Sequence, residues 1–239
     1  MMLRRVYAAA ALALGLALAG CDNTTEAPTD LGKDYYPLAV GTTRIYQVED
    51  RVWRNNQISS SRTSQVREQI TETYRDAAGK LTYKLLRSVR PNATAEWQPD
   101  SVHTLTVNDR NLLLTRSNVR TVELIFPVRA GAEWNKQAFV APNDPQATID
   151  DLNRRYEEVG MPLSIGGRSY ETTVSTFDEG DDPLFKIYRH TVRQVYAKGI
   201  GPVYRERIKY DYCQGTSGTC SIGTDYIEQG WDHKETLLP

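Results

Sequence analysis

Reactive side chains are scarce in this chain of 239 residues. Its three histidines, His103, His190 and His233, stand singly, and its three cysteines, Cys21, Cys213 and Cys220, show no metal-binding spacing. A zinc site needs more ligands, closely placed, so no metal is expected. A Gly-x-Ser-x-Gly elbow, a His-Glu-x-x-His helix and a phosphate loop are all missing. With them go the usual signatures of esterases, zinc peptidases and nucleotide-binding enzymes. No catalytic residue and no cofactor is therefore expected. A hydrolase whose Ser-His-Asp site assembles in space around one of the three histidines is the remaining enzymatic alternative; otherwise lone strand histidines belong on solvated faces. Positive charge is not in excess, with 29 Lys and Arg against 30 Asp and Glu. That excludes a nucleic-acid binder, which needs a concentrated basic surface. Long apolar runs are absent too, save one near the N-terminus.

That run, Val6 to Leu18, follows Arg4 and Arg5. At about 13 residues it is shorter than the roughly 20 that cross a bilayer. A basic start, an apolar stretch and then small residues are the order of a secretory signal. The stretch ends in Leu18-Ala19-Gly20-Cys21, which resembles the lipobox of bacterial lipoproteins. The resemblance implies cleavage before Cys21, a diacylglycerol thioether on its sulfur and an acylated amine. One acyl chain holds a protein to a membrane only marginally, whereas two or more hold it firmly. A triacylated Cys21 is thus a permanent membrane anchor. Residues 1–20 are then the signal peptide, and the mature chain carries 27 basic against 30 acidic residues, net −3. Residues 21–33 comprise the lipidated Cys21 and a polar, flexible tether too poor in apolar side chains to bury anything. Asp22, next to the cysteine, implies inner-membrane retention in some Gram-negative bacteria. Others sort differently, so the inner and the outer membrane both stay open.

Once Cys21 is committed to lipid, an even pair remains. Cys213 and Cys220 flank Gln-Gly-Thr-Ser-Gly-Thr. Outside the cytoplasm, such a pair across a short Gly-rich turn reads as a disulfide. A redox pair has two intervening residues rather than six.

From Tyr35 onward, apolar and polar residues alternate with the period of a strand. Thr43–Trp53 places Tyr46, Val48 and Val52 on one face and Gln47, Glu49 and Arg51 on the other. Thr63–Tyr74 and Lys80–Val89 flank the turn Asp76-Ala77-Ala78-Gly79, and Val102–Val107 and Leu112–Thr115 flank residues 108–111. Val119–Phe126, Arg168–Phe177, Leu184–Tyr196, Val203–Tyr212 and Ile222–Trp231 bring the number of strands to about ten. Residues 147–153 are expected as a short helix or irregular segment, with a strand from about 154. Short polar connections between successive strands favour an antiparallel meander. With little helix to cover it, the sheet is expected to curve into a barrel, a half-barrel or a two-layer sandwich. Residues 34–239 thus read as a single, mainly β domain.

Two stretches carry a further resemblance. Asp34-Tyr35-Tyr36-Pro37-Leu38-Ala39-Val40-Gly41 and Val195-Tyr196-Ala197-Lys198-Gly199-Ile200-Gly201-Pro202-Val203-Tyr204-Arg205-Glu206 resemble β-rich lipoproteins of unassigned activity in Gram-negative envelopes. Those proteins have a Tyr-Phe-Pro-Leu-x-x-Gly-like opening and a Gly-x-Gly-x-Val closing hairpin. The resemblance implies no catalytic residues. Gly199-Ile200-Gly201-Pro202 is itself a hairpin connection; a dinucleotide loop would need a third glycine and a following helix. The run Asp178-Glu179-Gly180-Asp181-Asp182 reads as a solvated hairpin loop, because it lacks the alternating ligand spacing of a calcium loop. Fourteen tyrosines suit strands, burying a ring while keeping the hydroxyl wet; an aromatic ligand-binding face is the sharper alternative. The expected function is that of a non-enzymatic envelope lipoprotein. It would bind an apolar small molecule or an envelope protein, or support the envelope.

Overall fold

The computed structural model describes residues 30–140, 153–179, 187–215 and 220–239, and Cys21 lies outside them. Residues Leu31–Pro239 form one compact unit. Its strands are β1 (Thr43–Arg54), β2 (Gln57–Arg75), β3 (Leu81–Arg90), β4 (Gln98–Val107), β5 (Asn111–Arg116), β6 (Val119–Ile125), β7 (Glu133–Asn135), β8 (Asn153–Ile165), β9 (Arg168–Glu179), β10 (Tyr188–Ala197), β11 (Gly201–Tyr212) and β12 (Ile227–Leu237). Neighbours in the sheet run β6-β5-β4-β3-β2-β1-β12-β11-β10-β9-β8-β7, all antiparallel. The chain meanders outward from β1 to one edge at β6. It then crosses to the other edge at β7 and meanders back until β12 pairs with β1. The result is a nearly closed barrel rather than a sandwich, because one continuous sheet curls until its two edges meet. At the seam the Val122 amide donates to the Lys136 carbonyl at 2.8 Å. The Trp134 indole donates to the Val122 carbonyl at 2.9 Å, and the Tyr156 hydroxyl donates to the Ile125 carbonyl at 2.7 Å. Edge backbone that would otherwise template pairing with other chains is thereby hidden. No helix among the described residues is long and apolar enough to cross a membrane.

Local chemistry explains the turns. The Asp76 carboxylate accepts the amides of Ala78 and Lys80, both at 2.9 Å. The Asn108 side-chain oxygen accepts those of Arg110 and Asn111 at 2.8 and 3.0 Å. Asn55–Asn56 and Ser117–Asn118 stand at positive φ, the two-residue hairpin geometry that matches strand twist. The apolar part of the interior gathers Ile70, Leu85, Leu105, Leu112, Leu124 and Val174 with Tyr35, Tyr36, Tyr156 and Tyr196. Buried tyrosines are thus mainly core, and the hydroxyls of Tyr46 and Tyr156 donate to carbonyls, at Pro202 (2.9 Å) and Ile125 (2.7 Å).

Several elements differ from the sequence expectation, β4 among them, which begins at Gln98 rather than Val102. β2 begins at Gln57, because the exposed residues 57–62, polar apart from Ile58, carry no alternation to read and become a strand only by pairing with β1. β7, at three residues, is too short to show a period. The last strand is Ile227–Leu237 rather than 222–231, and Ile222 is exposed in a turn before it. The compact unit starts at Leu31 rather than residue 34; Leu31 packs on the core and its carbonyl accepts the Val128 amide at 3.1 Å. The segment expected as helical or irregular lies outside the described residues up to 152.

The two stretches that carry the family resemblance lie against each other. The Gly199 amide donates to the Asp34 carbonyl at 2.9 Å. Arg44 ties them further, donating to the carbonyls of Ile200 (2.9 Å) and Pro37 (3.1 Å). Gly201 has φ +104°, and a Cβ there would stand 2.7 Å from the Arg44 guanidinium. Only glycine satisfies both demands.

Cys213 and Cys220 form the expected disulfide, with Cα atoms 6.1 Å apart. It closes a small loop between β11 and β12. Replacing both cysteines with Ser is expected to cost about 2–3 kcal/mol by the chain-entropy relation. Chemical denaturation of the two proteins measures this, and equal unfolding midpoints would contradict it.

Candidate functional site

Antiparallel register aligns inward residues in rows. Val48, Glu235, Arg205 and Gln194 form one row across β1, β12, β11 and β10, and Asp50, His233, Arg207 and Val192 form the next. Charged side chains in these rows meet others across the barrel. Glu68 of β2 and Glu235 of β12 are 2 % and 3 % exposed. Arg205 binds Glu68 at 2.8 Å and Glu235 at 2.6 Å. Arg87 of β3 binds the same two carboxylates at 2.8 and 2.5 Å. Two guanidiniums and two carboxylates therefore close a ring. Burial pushes both carboxyls up, and Arg205 with Arg87 more than offsets it, so both stay below the usual carboxylate range.

A second ionic group straps the seam. Arg154 of β8 makes a paired contact with Asp178 of β9 at 2.6 and 2.9 Å and reaches Glu123 of β6 at 3.0 Å. Lys136 joins Asp178 at 2.9 Å. Glu123 also accepts from Thr121 at 2.8 Å and Gln194 at 3.1 Å. Burial raises the Glu123 and Asp178 carboxyls, and Arg154 overcomes it, holding both low.

Between these groups and the apolar core lies a cavity of about 240 Å³. Its wall includes Arg87, Arg116, Arg205, Arg207, Glu123 and Gln194, with Leu85, Tyr36 and Tyr196 on the apolar side. The lining is dominated by charge. It is suited to a polar guest rather than an apolar one, since a charge left unpaired against an apolar guest is costly.

The histidines are not on solvated faces. His103 is 8 % exposed and lines this cavity, and burial, then Arg116 and Arg87, hold its imidazole down at about 4. Ser101 donates to Asp100 at 2.8 Å, and its oxygen lies 3.3 Å from His103 Nε2. The carboxylate thus holds the serine and not the histidine, the reverse of a catalytic triad's order. His233 has both ring nitrogens against carboxylates, Asp50 at 2.6 Å and Glu235 at 3.2 Å. The bond to Glu235 favours its charged form and raises it. His190 lies apart, on the β10 end beside Tyr188, and its Nε2 is buried without a partner among the described residues. Strand pairing drew His103 and His233 inward because each sits in the parity of the inner row.

Asp178 likewise departs from the solvated-loop expectation. It is a fully buried strand residue inside the barrel, ion-paired to Arg154 and Lys136. Residues 180–182 lie outside the described residues. Among those described, no group of three His, Cys, Asp or Glu side chains is placed to hold a metal ion. Glu68, Glu123, Arg154, Arg205 and Glu235 were missed as site residues. A signal exists for some of them: Glu68 falls between Val66 and Ile70, and Arg205 and Glu235 lie two residues from Val203 and Leu237. Each charge occupies an apolar parity position of its strand.

The class of protein defined here is a nearly closed, meandering antiparallel β-barrel with an ionic interior. No family model matches the chain, and no curated protein sequence matches it.

Proposed function

We propose that this is a lipid-anchored lipoprotein of a Gram-negative envelope whose barrel holds a small polar molecule and performs no chemistry on it. The observation that carries the reading is the cavity of about 240 Å³ among charged side chains inside the barrel. Drug-sized ligands occupy roughly 300–1,000 Å³, so the guest is smaller than those. The charged lining argues against an apolar guest such as a lipid tail. The anchor rests on the lipobox resemblance at Cys21.

A hydrolase is the second reading, favoured by the 3.3 Å approach of Ser101 and His103 at the cavity wall. The engaged serine and the low-lying imidazole weigh against it, since a general base works best with a pKa near the operating pH.

Cys21→Ser is expected to move the protein from the membrane fraction to the soluble fraction or leave it unprocessed. Mass spectrometry of the native protein should find Cys21 acylated, and an unacylated mature Cys21 would end the lipoprotein reading. Native mass spectrometry of the gently extracted protein should also find a small polar molecule retained in the barrel. An empty barrel throughout would end the binding reading.

A further inference from the structure

The interior charges do not balance pairwise. Glu68 and Glu235 are taken by Arg87 and Arg205, and Asp178 by Arg154 and Lys136. Glu123 already accepts from Arg154, Gln194 and Thr121, against about four acceptor positions on a carboxylate. Two arginines are left without a hydrogen-bonded carboxylate. Arg116 stands 3.9 Å from Glu123, beyond hydrogen-bond reach. Arg207 has no carboxylate within 4.0 Å and no hydrogen bond among the described residues. Both line the same cavity as Tyr196. Tyr196 is 1 % exposed, and its hydroxyl is buried with no hydrogen-bond partner among the described residues.

We infer that the barrel holds a small oxyanion, a phosphate or a carboxylate, gripped by Arg116, Arg207 and the Tyr196 hydroxyl. The inference rests on the reading of the barrel as a binder and names the chemistry of its guest. A guanidinium offers planar, paired donors that match either oxyanion. A buried tyrosine hydroxyl without an acceptor is itself costly, and an oxyanion supplies the acceptor. The Arg116 side chain keeps 35 % of its exposure, so this side of the cavity is reachable from solvent. Burial, and then the neighbouring Arg116, push the Arg207 guanidinium down to about 10, the direction expected for a cation that lacks its counter-charge.

The test uses the full chain in neutral detergent and anion-poor buffer. Calorimetric titration with sodium phosphate and, separately, sodium succinate distinguishes the two oxyanions. At least one should bind in a single saturable event and raise the melting temperature. Arg207→Met should weaken that binding about tenfold or more, as loss of a charge-assisted donor pair implies. Tyr196→Phe, which removes only the hydroxyl, should weaken it severalfold. In the anion-poor buffer Arg207→Met should melt no lower than the parent, because it removes an uncompensated charge. An arginine with a structural role would instead lower the melting temperature when replaced, and that result overturns the inference. Equal binding by Arg207→Met and the parent overturns it as well. So does absence of binding by both anions, and a neutral molecule retained by the native barrel would then leave the broader binding reading standing.

Discussion

Arg154→Met is expected to lower folding stability by about 3–5 kcal/mol, the usual cost of removing one partner from a buried ion group. Met keeps the bulk and removes the charge. Asp178 and Glu123, 0 % and 2 % exposed, would then face each other's surroundings without the cation that binds both. The position in the fold adds to the effect. Glu123 lies on β6 and Arg154 on β8, either side of the seam where the barrel's edges meet. Loss of the strap should loosen that closure, and Trp134 at the seam is a local reporter for it. Urea unfolding followed by tryptophan fluorescence gives the measurement. Adding Glu123→Gln to Arg154→Met should recover part of the loss, because Asp178 keeps Lys136 as its cation and no buried carboxylate then stands without one. Lys84→Met breaks an exposed pair with Glu72 and should change stability by about 0–1 kcal/mol. A loss for Arg154→Met as small as that control would show that the seam is held elsewhere.

Acid is expected to weaken the fold in two overlapping stages. The first belongs to His103, whose imidazole is held down at about 4. As pH falls from about 6.5, the unfolded chain takes up this proton before the folded one. Stability from His103 is therefore complete above that range and is lost as pH falls toward 4. The second stage belongs to Glu68, Glu123, Asp178 and Glu235, all held below the usual carboxylate range in the fold. Their contribution is present above the ordinary carboxylate value and is lost as pH drops through the lowered folded values. His233 acts in the opposite sense. Raised by its bond to Glu235, it contributes fully below its ordinary value and loses that contribution as pH rises through the folded one. Urea midpoints from pH 3 to 8 should trace this profile. His103→Gln should flatten the slope between about 6.5 and 4 and leave the carboxylate stage in place. An unchanged slope in that variant would remove His103 from the account.

Much of the scaffold was legible in one dimension. Thr43–Trp53 and Arg168–Phe177 alternate so regularly that their strands needed no tertiary information, and Asp76 and Asn108 marked their turns by side chains able to cap them. Cys213 and Cys220 were legible for the same reason: a short turn brings two nearby residues together. The N-terminal half of β2 and all of β7 were not legible, because the first has no buried face and the second is too short for a period.

What sequence alone determined is therefore local and periodic: which segments are strands, where they turn, that little helix exists, and which cysteines can meet. Only the tertiary structure decided that the meander closes on itself instead of folding into two layers. It also decided that charges share the interior with apolar side chains, and that Tyr36 and Tyr196 meet at a ring distance of 6.0 Å. The physical reason is separation along the chain. Glu68 and Arg205 lie 137 residues apart, and nothing local to either distinguishes an inward charge with a partner from an outward charge in water. Closure of the barrel selects among those possibilities, since a charge carried inward is tolerable only where curvature delivers its opposite within hydrogen-bonding distance.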